Sequence, residues 1–524
     1  MTELARNLFG LLDRARPERV AFECDGETLT AGALRERALQ LAAGLAAHGV
    51  RPGGRVAVLL SNRLEWPELL FALSALGAVC VPVNVLLQAP EVDHVLDDSG
   101  AEALVADASA AAVVEALAAT PRLLVLVGTR ETPPGAHAVA YESLFEHGRL
   151  GTAGPDLDAT AMLYYTSGTT GAPKAAEHTH GGILWNALTQ LLDLGLGEDD
   201  VYLCVASLSW AAGFHDLVLP LVWNGGRSVL LPGRGMTIER IVDATARSDV
   251  THAFLVPTLL KQLLAEPDAL ARLRSTPLRW IVSGGEPVPT AVLETLAEEL
   301  PGCRVVQGYG LSEFPTIATV LRPEEARTRA ASAGRPLSIV TLGVRGRDDT
   351  IAFRGEGEVL IRSLATMRGY YRRPAETREA FRDGWLHTGD LGVVDEEGFL
   401  TITGRKKDMI ISGGLNVYPK EIEEVLHRLP GIAEVAVVGV PDERWGEVPA
   451  AVVVPSREGV TAAAIDEACR ARLAGFKRPK HVLLREEPLP RTPSGKILKR
   501  ELRPWAAERV AEPEPADDAQ AAPR

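Results

Sequence analysis

Cysteine is scarce and never clustered: Cys24, Cys80, Cys204, Cys303 and Cys469 stand singly along 524 residues. That spacing excludes a zinc-ligand set and a disulfide scaffold, and the thiols read as small buried hydrophobes in a reducing, cytoplasmic compartment. Positive charge is also in deficit, with 55 Lys and Arg against 69 Asp and Glu for a formal net charge of −14. A phosphate-neutralising surface for nucleic acid is therefore not expected. The amino terminus, MTELARNLFGLLDRARPERV, lacks the continuous apolar stretch of a secretion signal. Long uncharged runs are nearly missing too. The one with the nominal length of a membrane span, LLFALSALGAVCVPVNVLL from Leu69 to Leu87, is broken by Gly77 and Pro82. It reads as a buried helix, a turn at Gly77 and a short strand, without stable membrane insertion.

What the chain does contain is enough apolar residue, 46 % against 24 % charged, for a large core, and enough length for more than one domain. From Thr30 the pattern puts Leu34, Ala38, Leu41 and Leu45 on one helical face, opened by a hydroxyl cap and closed at Gly49. Strands such as RVAVLL, AVCVPV, ALVAD, HAFLV, LRWIVS and CRVVQ alternate with helices of about three turns, which predicts an α/β fold with largely parallel, helix-covered sheets. After about residue 390 the texture changes to a compact α+β unit with a hairpin over GVVDEEGFLTITG. We draw the boundary at Gly404 and Arg405: residues 1–404 form the large domain, 405–504 the small one, and 505–524, rich in Ala, Pro and acidic residues, a disordered tail.

Four stretches carry chemistry. In YYTSGTTGAPKAAEHTH, small residues let successive backbone N–H groups point into one concavity; Ser167, Thr169 and Thr170 add hydroxyls and Lys174 a mobile positive charge, a combination that suits a polyphosphate. It is not the P-loop signature, because Lys174 lies between Pro173 and Ala175; the plain alternative is a surface turn with an incidental lysine. QGYGLSEF offers the flat ring of Tyr309 and, in Glu313, a carboxylate for magnesium or a helix cap. GWLHTGDLG sets Asp390 in a glycine-flanked turn, either to accept two ribose hydroxyls or to satisfy the turn itself. PRTPSGKILKREL presents Lys496 after a Ser-Gly turn, as a reactive cation or a solvated one.

All four, in this order and at these separations, resemble the adenylate-forming enzymes: acyl-CoA synthetases, luciferases and the adenylation domains of peptide synthetases. The resemblance runs from about Leu8 to Arg503 and is closest to the acyl-CoA synthetases. It implies a large amino-terminal domain and a small carboxy-terminal domain that rotates upon it. Two half-reactions follow: a carboxylate attacks the α-phosphorus of Mg-ATP to give an acyl-adenylate and pyrophosphate, then a thiol displaces AMP.

By the same resemblance, Thr166, Ser167, Gly168, Thr169, Thr170, Gly171 and Lys174 form the phosphate loop, and Gly284, Gly285, Glu286 and Pro287 of SGGEPVP the adenine-side loop. Tyr309, Gly310 and Ser312 accompany the adenine, and Glu313 with Thr169 serves magnesium. Asp390 and Arg405 hold the ribose, Lys407 is the hinge and Lys496 the catalytic lysine. Trp210, Gly213, His215 and Gly308 bound the acid pocket. For coenzyme A, the co-substrate this reading favours, Gly414 lines the pantetheine tunnel, and Trp445, Phe476 and Arg478 take the nucleotide end, unless these are ordinary packed aromatics and solvated cations.

The chain departs from the family pattern at Ala175, Glu177 and His178, which change the floor of the acyl site, and at Ser209 and Trp210, where an aromatic and a gating histidine are usual. His215 and Asp216 follow in a segment that is normally apolar; they recognise a polar substituent of the acid or form a satisfied structural pair. Alternatives to a small carboxylic acid and free CoA are a carrier-protein arm, an amine acceptor, or a non-carboxylate oxyanion such as nitrite. A nucleotide sensor is the rival outside catalysis, and it has no need of Lys496. Oligomeric state stays open.

Overall fold

The computed structural model describes residues 6–119, 121–128, 138–151, 154–166, 173–233, 235–285, 288–413, 415–456, 460–492 and 496–511. They fall into two compact units, one within Met1–Gly355, Leu360–Thr388 and Val394–Thr401, the other within Glu356–Val359, Gly389–Val393 and Ile402–Arg524. The chain passes from one to the other inside the strands Gly355–Arg362, Trp385–Val394 and Leu400–Arg405.

In the larger unit, local sequence sets the elements. Thr30 accepts a hydrogen bond from the Ala33 N–H and opens the helix Ala31–Ala47, which buries Leu34, Ala38, Leu41 and Leu45. The apolar run beginning at Leu69 divides as its glycine dictates: the helix Glu65–Leu76 stops at Gly77, whose φ of 78° few other residues adopt cheaply, and the strand Val79–Pro82 follows. Among the described residues no helix is long and apolar enough to cross a membrane.

Two of the sheets in this unit carry the candidate site. In the eight-stranded one, Val79–Pro82, Arg55–Leu59, Ala103–Asp107 and Leu123–Val127 run parallel, while Thr160–Thr166, Lys174–Thr179 and Gly369–Tyr370 close one side as an antiparallel ladder. The nine-stranded one has a parallel centre that includes Val201–Cys204, His252–Phe254 and Trp280–Gly284, and continues into the antiparallel hairpin Arg304–Leu311 and Phe314–Leu321. Continuous apolar strands follow from burial on both faces. The two ladders carry the stretches singled out above.

The smaller unit is an α+β module. Strands Ile432–Asp442 and Gly446–Pro455 pair along their whole length, flanked by Ile410–Ser412, Leu415–Val417 and His481–Leu484. Side chains alternate between two cores. Val435, Val437, Ala451 and Val453 pack under the helices Pro419–Leu426 and Ala462–Arg472, and Ala436, Val438, Ala450 and Val452 under the helix Lys499–Ala511. That last helix corrects the expected tail as far as Ala511. Leu502 and Ala506 are buried and Trp505 and Val510 pack beside them, an apolar stripe at helical spacing that composition alone conceals. Residues 512–524 lie outside the described part.

Candidate active site

The phosphate-loop stretch is borne by a hairpin in the larger unit, with Thr166 ending one strand opposite Lys174, which begins the next. Ser167, Gly168, Thr169, Thr170 and Gly171 lie outside the described residues, as do Glu286, Pro287 and Gly414. Lys174 directs its ammonium onto the face of Tyr370, 3.5 Å from the ring centroid. The Tyr370 hydroxyl donates to Glu313 Oε1 at 2.7 Å. One side chain therefore joins the candidate phosphate lysine to the candidate magnesium carboxylate. Sequence reading missed Tyr370. Its only local signal is the GYY of RGYY, and the pairing of Gly369 and Tyr370 with Glu177 and Ala176 is what brings it in.

Glu313 sits at the tip of the hairpin whose arms meet at Leu311 and Phe314. The strand Arg304–Leu311 runs through Gly308, Tyr309 and Gly310, so this motif lies within the ladder rather than after it. Gly310 is required by close approach: a β-carbon there would lie 1.2 Å from the Thr316 carbonyl oxygen. The tip is fixed from two sides. Met367 N–H donates to the Glu313 carbonyl at 2.9 Å, and His178 Nε2 lies 2.8 Å from the Ser312 carbonyl. Because a carbonyl only accepts, Nε2 must carry the proton, and burial keeps the ring neutral by pushing its pKa down to about 4. Among the described residues no group of three or more His, Cys, Asp and Glu forms a metal cage. A lone carboxylate is what magnesium held chiefly by substrate phosphates requires, so Glu313 fits that ion.

The two unusual residues of the adjoining strand part company. Glu177 pairs outward with Arg368 at 2.9 Å and accepts from Thr160, whereas His178 is buried. Strand alternation therefore leaves only His178 to shape the interior. There its ring lies near those of Tyr164, at 5.9 Å, and His215, at 6.3 Å, and Tyr164 and His215 are 5.3 Å apart. His215 ends the short helix Ala211–His215, which begins after Trp210. Gly213 in that helix faces the Ser207 carbonyl so closely that a β-carbon would come within 2.1 Å of its oxygen. Asp216, fully buried and bonded by the Thr316 hydroxyl, has its pKa pushed up to about 7 by desolvation. His215 and Asp216 do not bond to each other. Both ring nitrogens of His215 are buried without a protein partner among the described residues, so its ring is not satisfied by Asp216.

The smaller unit carries the rest. Asp390 lies inside the strand Trp385–Val394 and is buried, which corrects the turn expected from its glycines. Its carboxylate is 2.6 Å from Arg405 Nε, so the two candidate ribose residues are direct partners. Lys407 is exposed, yet desolvation, aided by Arg405 and Arg500, holds its ammonium below the usual lysine range. Lys496 is exposed, follows the bridge partner Arg491 in a small loop closed by Thr492 N–H to its carbonyl, and precedes the helix by three residues. Trp445 and Phe476 are exposed aromatics, 38 % and 40 % accessible. Arg444 and Lys480 lie over the Trp445 ring at 4.7 and 5.5 Å, two cations the sequence reading had not included. Arg478 Nε instead donates to the Leu473 carbonyl.

Comparison with known proteins gives a consistent picture. Residues 12–371 match the AMP-binding enzyme family and residues 421–496 the AMP-binding enzyme C-terminal domain. The chain is 39 % identical to a feruloyl-CoA synthase of Amycolatopsis, over 94 % of this chain and 96 % of that protein. It is 38 % identical to the long-chain-fatty-acid–CoA ligase FadD13 of Mycobacterium tuberculosis, over 88 % and 89 %. The solved structure of o-succinylbenzoate CoA synthetase from Bacillus subtilis in complex with its acyl-adenylate intermediate superposes with a TM-score of 0.81 at 31 % identity, covering 95 % of this chain and 98 % of that one. With more than half of its length matched by the family model, this chain belongs to the AMP-binding enzymes, the adenylate-forming superfamily.

Proposed function

We propose that the protein is an ATP-dependent carboxylic acid:CoA ligase that releases pyrophosphate and then AMP. The observation that carries the reading is the Lys174–Tyr370–Glu313 arrangement, which holds a cation for phosphate and a carboxylate for magnesium on two adjoining hairpins. The CoA-ligase names of the relatives agree with it.

Joining two anions requires neutralisation more than a base, since a carboxylate is already ionised at neutral pH. In the first step the acid's oxygen bonds to the α-phosphorus as the bond to pyrophosphate breaks. Lys174 and the hydroxyls of the phosphate loop bind the departing phosphates, Asp390 and Arg405 orient the ribose, and Lys496 bridges the two reacting anions. Magnesium bound with the nucleotide supplies further positive charge beside Glu313. In the second step the thiol sulfur bonds to the acyl carbon, the acyl–phosphate bond breaks and AMP leaves. Residues 405–504 act as the mobile half, turning at Lys407 so that Lys496 withdraws and the pantetheine arm enters. Trp445, Phe476 and Arg478, joined by Arg444 and Lys480, suit a nucleotide bearing phosphates. The unpaired thiols agree with a cytoplasmic setting.

ATP–pyrophosphate exchange over a panel of acids, with AMP release measured with and without CoA and the product weighed by mass spectrometry, tests this. Acid-dependent exchange and CoA-dependent AMP release are expected. Exchange without any response to CoA transfers the reading to a carrier-protein, amine or oxyanion chemistry, and ADP as the product refutes it.

A further inference from the structure

The interior beside the Ser312–Glu313 turn holds polar atoms that the protein does not satisfy. Both ring nitrogens of His215 and the Tyr164 hydroxyl, on rings 5.3 Å apart, are buried without a hydrogen-bond partner among the described residues. An unpaired buried polar group destabilises the fold, so neighbouring ones are retained only against a return. The backbone that bears them is not loose. Gln190 donates to the His215 carbonyl at 2.8 Å and accepts from the Leu217 N–H at 3.1 Å, and it is steadied by Asn186. Leu217 is held at φ 66°, a strained conformation for a branched side chain, and the surrounding contacts keep it there. A rigid scaffold therefore presents unsatisfied groups.

The chemistry of these atoms narrows the partner. Burial leaves His215 neutral, with one N–H and one bare nitrogen, and Tyr164 both donates and accepts. An ammonium only donates and leaves the imidazole N–H unmet. A second carboxylate only accepts, and the ionisable groups that act on Tyr164 and His215, namely Cys80, Asp216 and neutral His178, offer it no positive charge. A hydroxyl donates once and accepts twice. We infer that the acid this enzyme activates carries a hydroxyl on its acyl part, alcohol or phenol, which completes the hydrogen bonds of His215 and Tyr164.

This rests on the ligase reading and names the substrate class for it. The experiment pairs each hydroxylated acid with its unsubstituted twin, coumaric with cinnamic and ω-hydroxydodecanoic with dodecanoic, and measures kcat/KM for CoA-dependent AMP release. The hydroxylated member of the fitting pair is expected to be favoured by about tenfold or more, and His215→Leu to bring the ratio near unity. The two pairs separate a phenol from an alcohol. Melting of the enzyme without substrate gives an independent readout: removing unsatisfied nitrogens from a buried site should raise the Tm of His215→Leu, whereas a purely structural histidine would lower it. Equal kcat/KM within both pairs, or a lowered Tm with the ratio unchanged, overturns the hydroxyl while leaving the ligase intact. Absence of CoA-dependent AMP release with every acid overturns both.

Discussion

Tyr370 meets Glu313 through its hydroxyl and Lys174 through its ring, so the two contacts separate cleanly by substitution. Tyr370→Phe keeps the cation–π face and deletes one hydrogen bond to a carboxylate, a loss of about 1–2 kcal/mol. The magnesium concentration for half-maximal pyrophosphate exchange should rise roughly five- to thirtyfold in line with that energy, with the melting temperature little changed. Tyr370→Ala removes both contacts and should raise the KM for ATP as well. Lys496 yields a different signature. Lys496→Ala should depress adenylate formation by about a hundredfold or more while a supplied acyl-adenylate still becomes thioester, and equal loss of both steps would discredit domain alternation. Lys496 was legible because its neighbours in sequence, PSGK, announce it. Tyr370 was not, because its importance lies in two partners distant along the chain. His215 was intermediate: its oddity showed in an apolar segment, but only three-dimensional packing reveals that nothing satisfies its ring.

Among the elements, the hairpin of Arg304–Leu311 and Phe314–Leu321 is the most exacting. The Gly310 approach leaves no room even for a methyl, so Gly310→Ala must push Thr316 and shift both Glu313 and the Asp216 partner. Destabilisation of about 1–3 kcal/mol is expected, with loss of ATP binding measured by calorimetry before loss of secondary structure measured by circular dichroism. Strand existence was readable from apolar runs, and helix ends from Thr30 and Gly77. Face was not. Glu177 and His178 stand next to each other in sequence and point oppositely, and only the register Met162–His178 and Leu163–Glu177 decides which enters the interior. Asp390 misled for a related reason: glycines on both sides imitate a turn, yet Gly389 takes φ 70° within a continuing strand.

The whole molecule should be sensitive to acid before it is sensitive to base. Burial holds His178 and His180 at about 4 and His215 well below the usual 6.5, so the unfolded chain binds protons that the native chain refuses. Stability from this source is complete above pH 6.5 and is lost progressively as pH falls toward 4. Asp216 acts in the opposite sense between 3.8 and about 7, but it is one group against five, since burial also holds His252 at about 4 and lowers His481. The denaturation midpoint should therefore fall between about pH 7 and pH 5, and His180→Gln should flatten that slope. The division into α/β and α+β units was legible in texture, whereas the helix to Ala511 was hidden by an alanine- and proline-rich composition. One consequence concerns the order in which the protein is made. The short strand Gly369–Tyr370 zips onto Lys174–Thr179 from far downstream, so a nascent chain stalled before it owns the lysine and the carboxylate but no tie between them. An interrupted translation product should consequently leave cellular ATP untouched, and nucleotide retention by ribosome-bound chains stalled ahead of Gly369 would contradict this.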